Sequence, residues 1–185
     1  MTLIEGLQAD GRRTFTVKEA KDRLKVPRGN ALAILDRLQR QQRVVCLTPG
    51  LYALWHPSER QRGIYPLPLL VALMRFRGSA YYVGLLSAAD YYGAAHQKPQ
   101  RLQVILPKQM QFHKAKKLGL DFHVRREFPS QGIVAIKTAS GRTAFSSPEL
   151  TALDLFYFQS ACGGFDNICL VIRGLIPKLT ASGLK

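Results

Sequence analysis

Acidic residues are scarce in this chain. Only 12 Asp and Glu stand against 27 Lys and Arg, a formal net charge of +15 at pH 7 over 185 residues. Such an excess predicts a polyanionic partner, most often nucleic acid, or an acidic membrane surface; a solvated basic face is the plain alternative. The excess is spread through the chain. Residues 1–60 carry 11 basic and 6 acidic side chains, and residues 61–185 carry 16 and 6. Cysteine is also rare. Cys46, Cys162 and Cys169 form no metal-like cluster, and their odd number with no secretory segment predicts reduced thiols in a cytoplasm. Met1 to Leu7 is too short and too weakly apolar for a leader. The longest apolar run, Leu67 to Met74, is too short to span a bilayer. No membrane partner is expected. Internal repeats and low-complexity tracts are lacking too.

The residues that chemistry would need are few and dispersed. In the second part of the chain the carboxylates are Asp90, Asp121, Glu127, Glu149, Asp154 and Asp166, and only Asp121 and Glu127 flank one strand. Metal-dependent cleavage needs such groups clustered. His56, His96, His113 and His123 lack ligand spacing. No glycine-rich phosphate loop and no nucleophile motif occurs. The expectation is a protein that is not an enzyme and holds no cofactor. Apolar residues make up 46% of the chain, enough for a packed core.

What is present is an ordered succession of elements from Thr14 to Leu54, TFTVKEAKDRLKVPRGNALAILDRLQRQQRVVCLTPGLYAL. Thr16 followed by Glu19 is the pattern of a capping box, opening a helix from Val17 to about Leu24. Pro27 disfavours a helical conformation at Val26, so the chain turns over Lys25 to Gly29. A second helix follows from about Asn30 to Gln41. It puts Ala31, Ile34, Leu35 and Leu38 on one face and Gly29, Ala33, Arg37 and Arg40 on the other. Val44 to Leu47 and Leu51 to Leu54 read as two strands joined by the turn Thr48-Pro49-Gly50. Helix, turn, helix and ribbon is the order of a winged helix-turn-helix, with a short leading helix at Leu3, Ile4 and Leu7 as the third helix of its core. A small helical domain that binds protein is the alternative.

The remainder reads as a second domain, 61–185, after a polar linker from Glu59 to Gly63. A helix begins near Tyr65-Pro66 and ends at Arg75 and Arg77. A second helical stretch covers Ala80 to Tyr92, where Tyr81, Tyr82, Tyr91 and Tyr92 either pack in a core or stack on bases. Strands are expected at Leu102 to Leu106, Phe122 to Arg126, Ile133 to Thr138 and Arg142 to Phe145, forming a small antiparallel sheet. Ser147-Pro148-Glu149 starts a helix, and a last one runs from about Phe165 to Leu175. The fold class is therefore α+β: a winged helix-turn-helix domain at 1–60, then a domain of sheet and helices.

These segments together resemble the AbiEi antitoxins of the AbiE abortive-infection toxin–antitoxin systems. VPRGNALAILDRL resembles the recognition helix of their winged-helix domain, and TPGLYAL the end of the wing. YYVGLLSAADYYGA and SSPELTALDLF resemble segments of their C-terminal domain. The likeness runs from about residue 14 to 175, and the chain departs from the family in ending soon after Pro177. The resemblance implies a type IV antitoxin that represses its own operon, binding inverted operator repeats in duplex DNA, with both domains contributing. It also implies a nucleotidyltransferase-like toxin as functional partner.

On that reading Arg28, Asn30, Arg37 and Arg40 face the major groove. Asn30 either contacts adenine or caps its helix, and Arg37 either reads guanine or holds a phosphate. Lys25, Thr48 and Gly50 hold the DNA backbone. Lys114, Lys116, Lys117, Arg125 and Arg126 form a secondary basic surface that tracks phosphates, faces an acidic partner or is simply solvated. Two other readings fit the residues: a winged-helix regulator with a ligand- or protein-sensing second domain and no toxin, and a DNA-cleaving enzyme.

Overall fold

A computed structural model describes residues 3–55, 66–110, 118–138 and 141–181. The chain divides into two compact units, with the main division after Gly78.

The first unit contains α1 (Leu3–Ala9), β1 (Thr14–Thr16), α2 (Val17–Leu24), α3 (Arg28–Arg40), β2 (Val44–Thr48), β3 (Leu51–Leu54) and α4 (Pro66–Arg77). Its sheet is antiparallel throughout, in the order β1-β3-β2, with Phe15 opposite Tyr52 and Val44 opposite Leu54. The expected capping box forms at α2. The Glu19 N–H donates to Thr16 Oγ1 at 3.2 Å, and the Thr16 N–H donates to Glu19 Oε2 at 2.7 Å. Two orphan amides are thereby satisfied, and the entry of α2 from β1 is fixed. The helix stops at Lys25, whose left-handed backbone (φ 53°) returns its N–H to the Lys21 carbonyl. Pro27 then serves as the N-cap of α3, so that helix begins at Arg28, earlier than the hydrophobic period indicated. Asn30 consequently lies in the first helical turn and is not the cap.

The core beneath these elements is continuous. Leu3, Ile4 and Leu7 of α1 meet Phe15, Val17, Ala20, Leu35, Leu38 and Tyr52, so the leading helix does complete a three-helix core. The linking helix α4 belongs to this unit and not to the second, where its sequence position had put it. It packs on the β2–β3 hairpin: a Cβ at Gly50 (φ +95°) would stand 3.3 Å from the Phe76 ring.

The second unit contains β4 (Tyr82–Val83), α5 (Leu85–Tyr91), β5 (Leu102–Leu106), β6 (Leu120–Val124), β7 (Ile133–Thr138), β8 (Gly141–Ser146), α6 (Pro148–Tyr157) and α7 (Gly164–Leu175). The sheet order is β6-β5-β4-β8-β7. It is mixed, which corrects the expectation of an antiparallel sheet: β5 and β6 run parallel, as do β4 and β8, whereas β4/β5 and β7/β8 are antiparallel. The parallel β4/β8 pair traces to β4. Tyr82 and Val83 were read as the start of a helix, yet they form the central strand, and α5 begins only after Gly84. Aromatic and β-branched residues suit a pleated, buried surface better than a helix. With a strand at that point, β8 pairs parallel to it and the meander is lost. The glycines allow close layers: a Cβ at Gly174 of α7 would lie 2.9 Å from the Ala94 Cα.

The Ser-Pro-Glu segment has a mechanical role. Ser147 Oγ accepts the Leu150 N–H at 3.2 Å, and Pro148 occupies the first turn of α6. Glu149 is 6% exposed, and its Oε1 accepts both the N–H (2.8 Å) and the hydroxyl (2.9 Å) of Thr180. One carboxylate thus ties the segment after α7 to the start of α6. Burial pushes the Glu149 carboxyl up, but bonds from its own backbone, Thr180 and Ser147 outweigh that and leave it below its ordinary 4.5. A lowered folded value means a contribution that is full above pH 4.5 and fades as pH falls through the folded value. Glu149→Gln is therefore expected to cost about 1–3 kcal/mol at pH 7 and little at pH 3. Urea unfolding at the two pH values measures this, with hydrogen exchange at the Thr180 amide as the local readout.

Candidate nucleic-acid interface

The two faces of α3 follow from its period. Ala31, Leu35 and Leu38 are buried, while Arg28, Gly29, Asn30, Ala33, Arg37 and Arg40 are all exposed. Packing consumes one stripe of the helix, and the opposite stripe is left to solvent with small and cationic side chains. Lys25 is exposed as well, at the left-handed residue that ends α2. Arg40 is bonded to Asp36 one turn back at 2.6 Å, with both side chains more than half exposed. Such a pair contributes about 0.3–0.5 kcal/mol.

The hairpin residues lie differently. Thr48 is 4% exposed, so its side chain is turned into the unit and away from any phosphate. Gly50 is half-buried, its carbonyl accepts the Val17 N–H at 3.0 Å, and Phe76 covers it. Pro49 is the exposed residue of that turn. The positive φ of Gly50 was legible in the sequence; the helix lying over it was not, because α4 is separated from the hairpin by a stretch of chain.

Of the secondary basic group, Lys114, Lys116 and Lys117 lie outside the described residues. Arg126 is exposed. Arg125 is not a free surface cation. Its guanidinium donates from Nη1 to Asp154 Oδ1, and it stacks over the Tyr157 ring at 5.4 Å. Asp154 is fully buried, and its other oxygen accepts the Tyr82 hydroxyl at 2.9 Å. Burial pushes the Asp154 carboxyl up, while Tyr82 and Arg125 pull it down. Burial likewise disfavours the Arg125 cation, but Tyr82 and Asp154 outweigh it and hold the guanidinium above its ordinary value. The Tyr82 phenol is raised, first by burial and then by the adjacent carboxylate. Sequence reading missed this trio, whose members are far apart in the chain. The one available signal was an aspartate on the apolar side of α6.

The tyrosines divide accordingly. Tyr82 belongs to the core, and the Tyr92 hydroxyl donates to the Ser146 carbonyl at 2.8 Å, whereas Tyr91 remains half-exposed. A further pair of cations escaped notice: Lys137 and Arg142 stand opposite each other at the end of the β7–β8 hairpin, both exposed. A turn at Ser140-Gly141 would have put Lys137 opposite Ala144; the register that pairs Thr138 with Gly141 sets it opposite Arg142 instead. Among the described residues no group of three or more His, Cys, Asp or Glu side chains could hold a metal ion. Nor is any helix among them long and apolar enough to cross a membrane.

Residues 82–185 match the family described as the AbiEi antitoxin C-terminal domain. The matched segment begins at Tyr82 and contains the whole Tyr82–Asp154–Arg125 trio. No curated protein matches this chain in sequence. Among solved structures it is similar to the RV2827C protein from Mycobacterium tuberculosis, with a TM-score of 0.72 at 16% identity. That likeness covers 98% of this chain and 68% of the other, and it concerns the fold.

Removing Arg125 leaves the Asp154 carboxylate buried without a cation. Arg125→Ala is therefore expected to lose about 3–5 kcal/mol of stability at neutral pH. The sign with pH is diagnostic. A carboxyl raised in the folded state is destabilising when ionised, so the deficit shrinks as pH falls toward 4 and Asp154 takes up a proton. Arg126→Ala, at an exposed position, serves as the control that changes neither value. Urea unfolding of the three proteins at pH 7 and pH 4.5 decides it.

Proposed function

This chain belongs to the AbiEi antitoxin family through its C-terminal domain, and from that membership we propose that it is a DNA-binding repressor of its own operon. The first unit, on this reading, is a winged helix-turn-helix. α2, the short turn Lys25 to Pro27 and α3 are the helix-turn-helix, and β2–β3 is the wing. The observation that carries the proposal is the exposed stripe of α3: Arg28, Asn30, Arg37 and Arg40, separated by Gly29 and Ala33. Small residues between cations let a duplex backbone come close, and the guanidinium fork suits guanine edges or phosphates.

The roles divide by position. Asn30, freed from capping, has its amide available for adenine, and Arg28 and Arg37 reach base edges or phosphates on either side of it. Lys25 and Arg40 neutralise phosphates. Thr48 and Gly50 contribute through the hairpin's backbone and not through side chains. The basic excess of the second unit adds non-specific attraction. Antitoxin activity implies a toxin, and a nucleotidyltransferase-like protein encoded beside this chain is its expected counterpart. Operation on operator repeats in a cytoplasm completes the reading.

Titrating the protein against the DNA upstream of its own gene, at two salt concentrations, tests the assignment. Arg28→Ala or Arg37→Ala is expected to cost about 1–3 kcal/mol of binding and to relax specificity at the base concerned. Lys25→Ala is expected to weaken all sequences alike and to lower the salt slope by about one unit. Equal binding by the wild type, Arg28→Ala and Arg37→Ala would reject α3 as the reading element.

A further inference from the structure

The outer side of the second unit's helical layer carries a large apolar surface. Leu153, Phe156 and Tyr157 of α6, and Phe165, Leu170 and Ile176 on and just after α7, are 47–62% exposed. Phe156 and Phe165 join the two helices, their ring centroids 6.4 Å apart. Single exposed apolar residues need no explanation, but a joined group of this size marks an interaction surface.

Charge identifies the occupant. From Pro148 to Lys178 the charged side chains are Glu149, Asp154, Asp166, Arg173 and Lys178, and the first two are buried. The surface therefore exposes one anion and two cations, a net charge of +1 on a chain of +15. Two copies of so basic a chain repel least where a face is nearly neutral. Asp166 and Arg173 are also seven residues apart, two helical turns or about 10.5 Å, on the exposed stripe of α7. Their midpoint falls between Cys169 and Leu170. A two-fold axis through that midpoint brings each charge onto its opposite, which is the requirement of an isologous contact.

We propose that this face binds a second copy of the chain, α7 packing antiparallel on its counterpart about an axis near Cys169, with Asp166 of each copy against the partner's Arg173. The aromatic residues of α6 close over the sides of the contact. Cys169 is the exposed one of the three thiols, Cys162 being buried and Cys46 half-buried. Beside the axis it would face its counterpart, and a disulfide there requires the two Cα atoms to come within about 4.4–6.8 Å.

Sedimentation velocity of the full chain across micromolar concentrations, without DNA, reads the proposal directly. A monomer–dimer equilibrium is expected. Arg173→Asp should raise the dissociation constant by about tenfold or more, because two attractive pairs become two repulsive ones. The exchange Asp166→Arg with Arg173→Asp should restore it, as it restores both pairs; a mere loss of folding would not be rescued in this way. Diamide, accepting two electrons and two protons, should cross-link the wild type through Cys169, and Cys169→Ser should abolish the product. A chain that stays monomeric and uncross-linked at every concentration would overturn the proposal. So would a dimer indifferent to Arg173→Asp.

Discussion

A carboxylate with no exposure to water sits where the layers of the second unit meet. Asp154 projects from α6 toward the sheet, takes the hydroxyl of Tyr82 from the central strand, and takes the guanidinium of Arg125 from the end of β6. Each partner anchors a different element, so the trio fixes helix, central strand and edge strand against one another. An ion pair in such a place adds little net stability, since desolvation offsets most of the attraction. Its value lies in exclusivity. A shift in the register of β4 or a rotation of α6 would part the buried carboxylate from Tyr82 or Arg125.

The same economy runs through the neighbouring polar groups. Gln103, buried in β5, accepts the Leu86 N–H at the start of α5 and donates to the Ala161 carbonyl. Ser87 accepts the Gln103 N–H at 2.9 Å. Glu149 ties down the segment after α7. The motifs that resemble the AbiEi family are thus largely hydrogen-bonding joints between layers. Tyr82, Ser87, Ser147, Glu149 and Asp154 hold the unit together from inside. The surfaces open to other molecules are built from different residues, the cationic stripe of α3 and the weakly charged apolar side of α6 and α7.

Legibility in the sequence tracked how local the cause was. The capping box at Thr16, the break before Pro27, the strands β2 and β3 and the start of α6 at Ser147 were all readable, because each is decided within about four residues. The exposed stripe of α3 followed from its period. Failures arose where the deciding partner was distant. Tyr82-Val83 is a strand because β5 and β8 lie on either side of it, and a segment that short carries no period of its own. Arg125 looked like a surface cation until Asp154 was found beneath it, and Thr48 looked like a hairpin tip until α4 was found to pack on that hairpin.

By itself, then, the amino-acid order determined the helices α1 to α3 and the hairpin of the first unit, though not the strand β1 or the place of α4, together with the cationic outer side of α3 and the basic character of the whole, since these depend on side-chain period, caps and summed charge. Tertiary structure alone decided which polar residues are spent on packing and which remain free. A guanidinium, a hydroxyl or a phenyl ring has the same formula on either side of a folded surface. Only the groups brought to it from elsewhere in the chain determine whether it faces water or a partner.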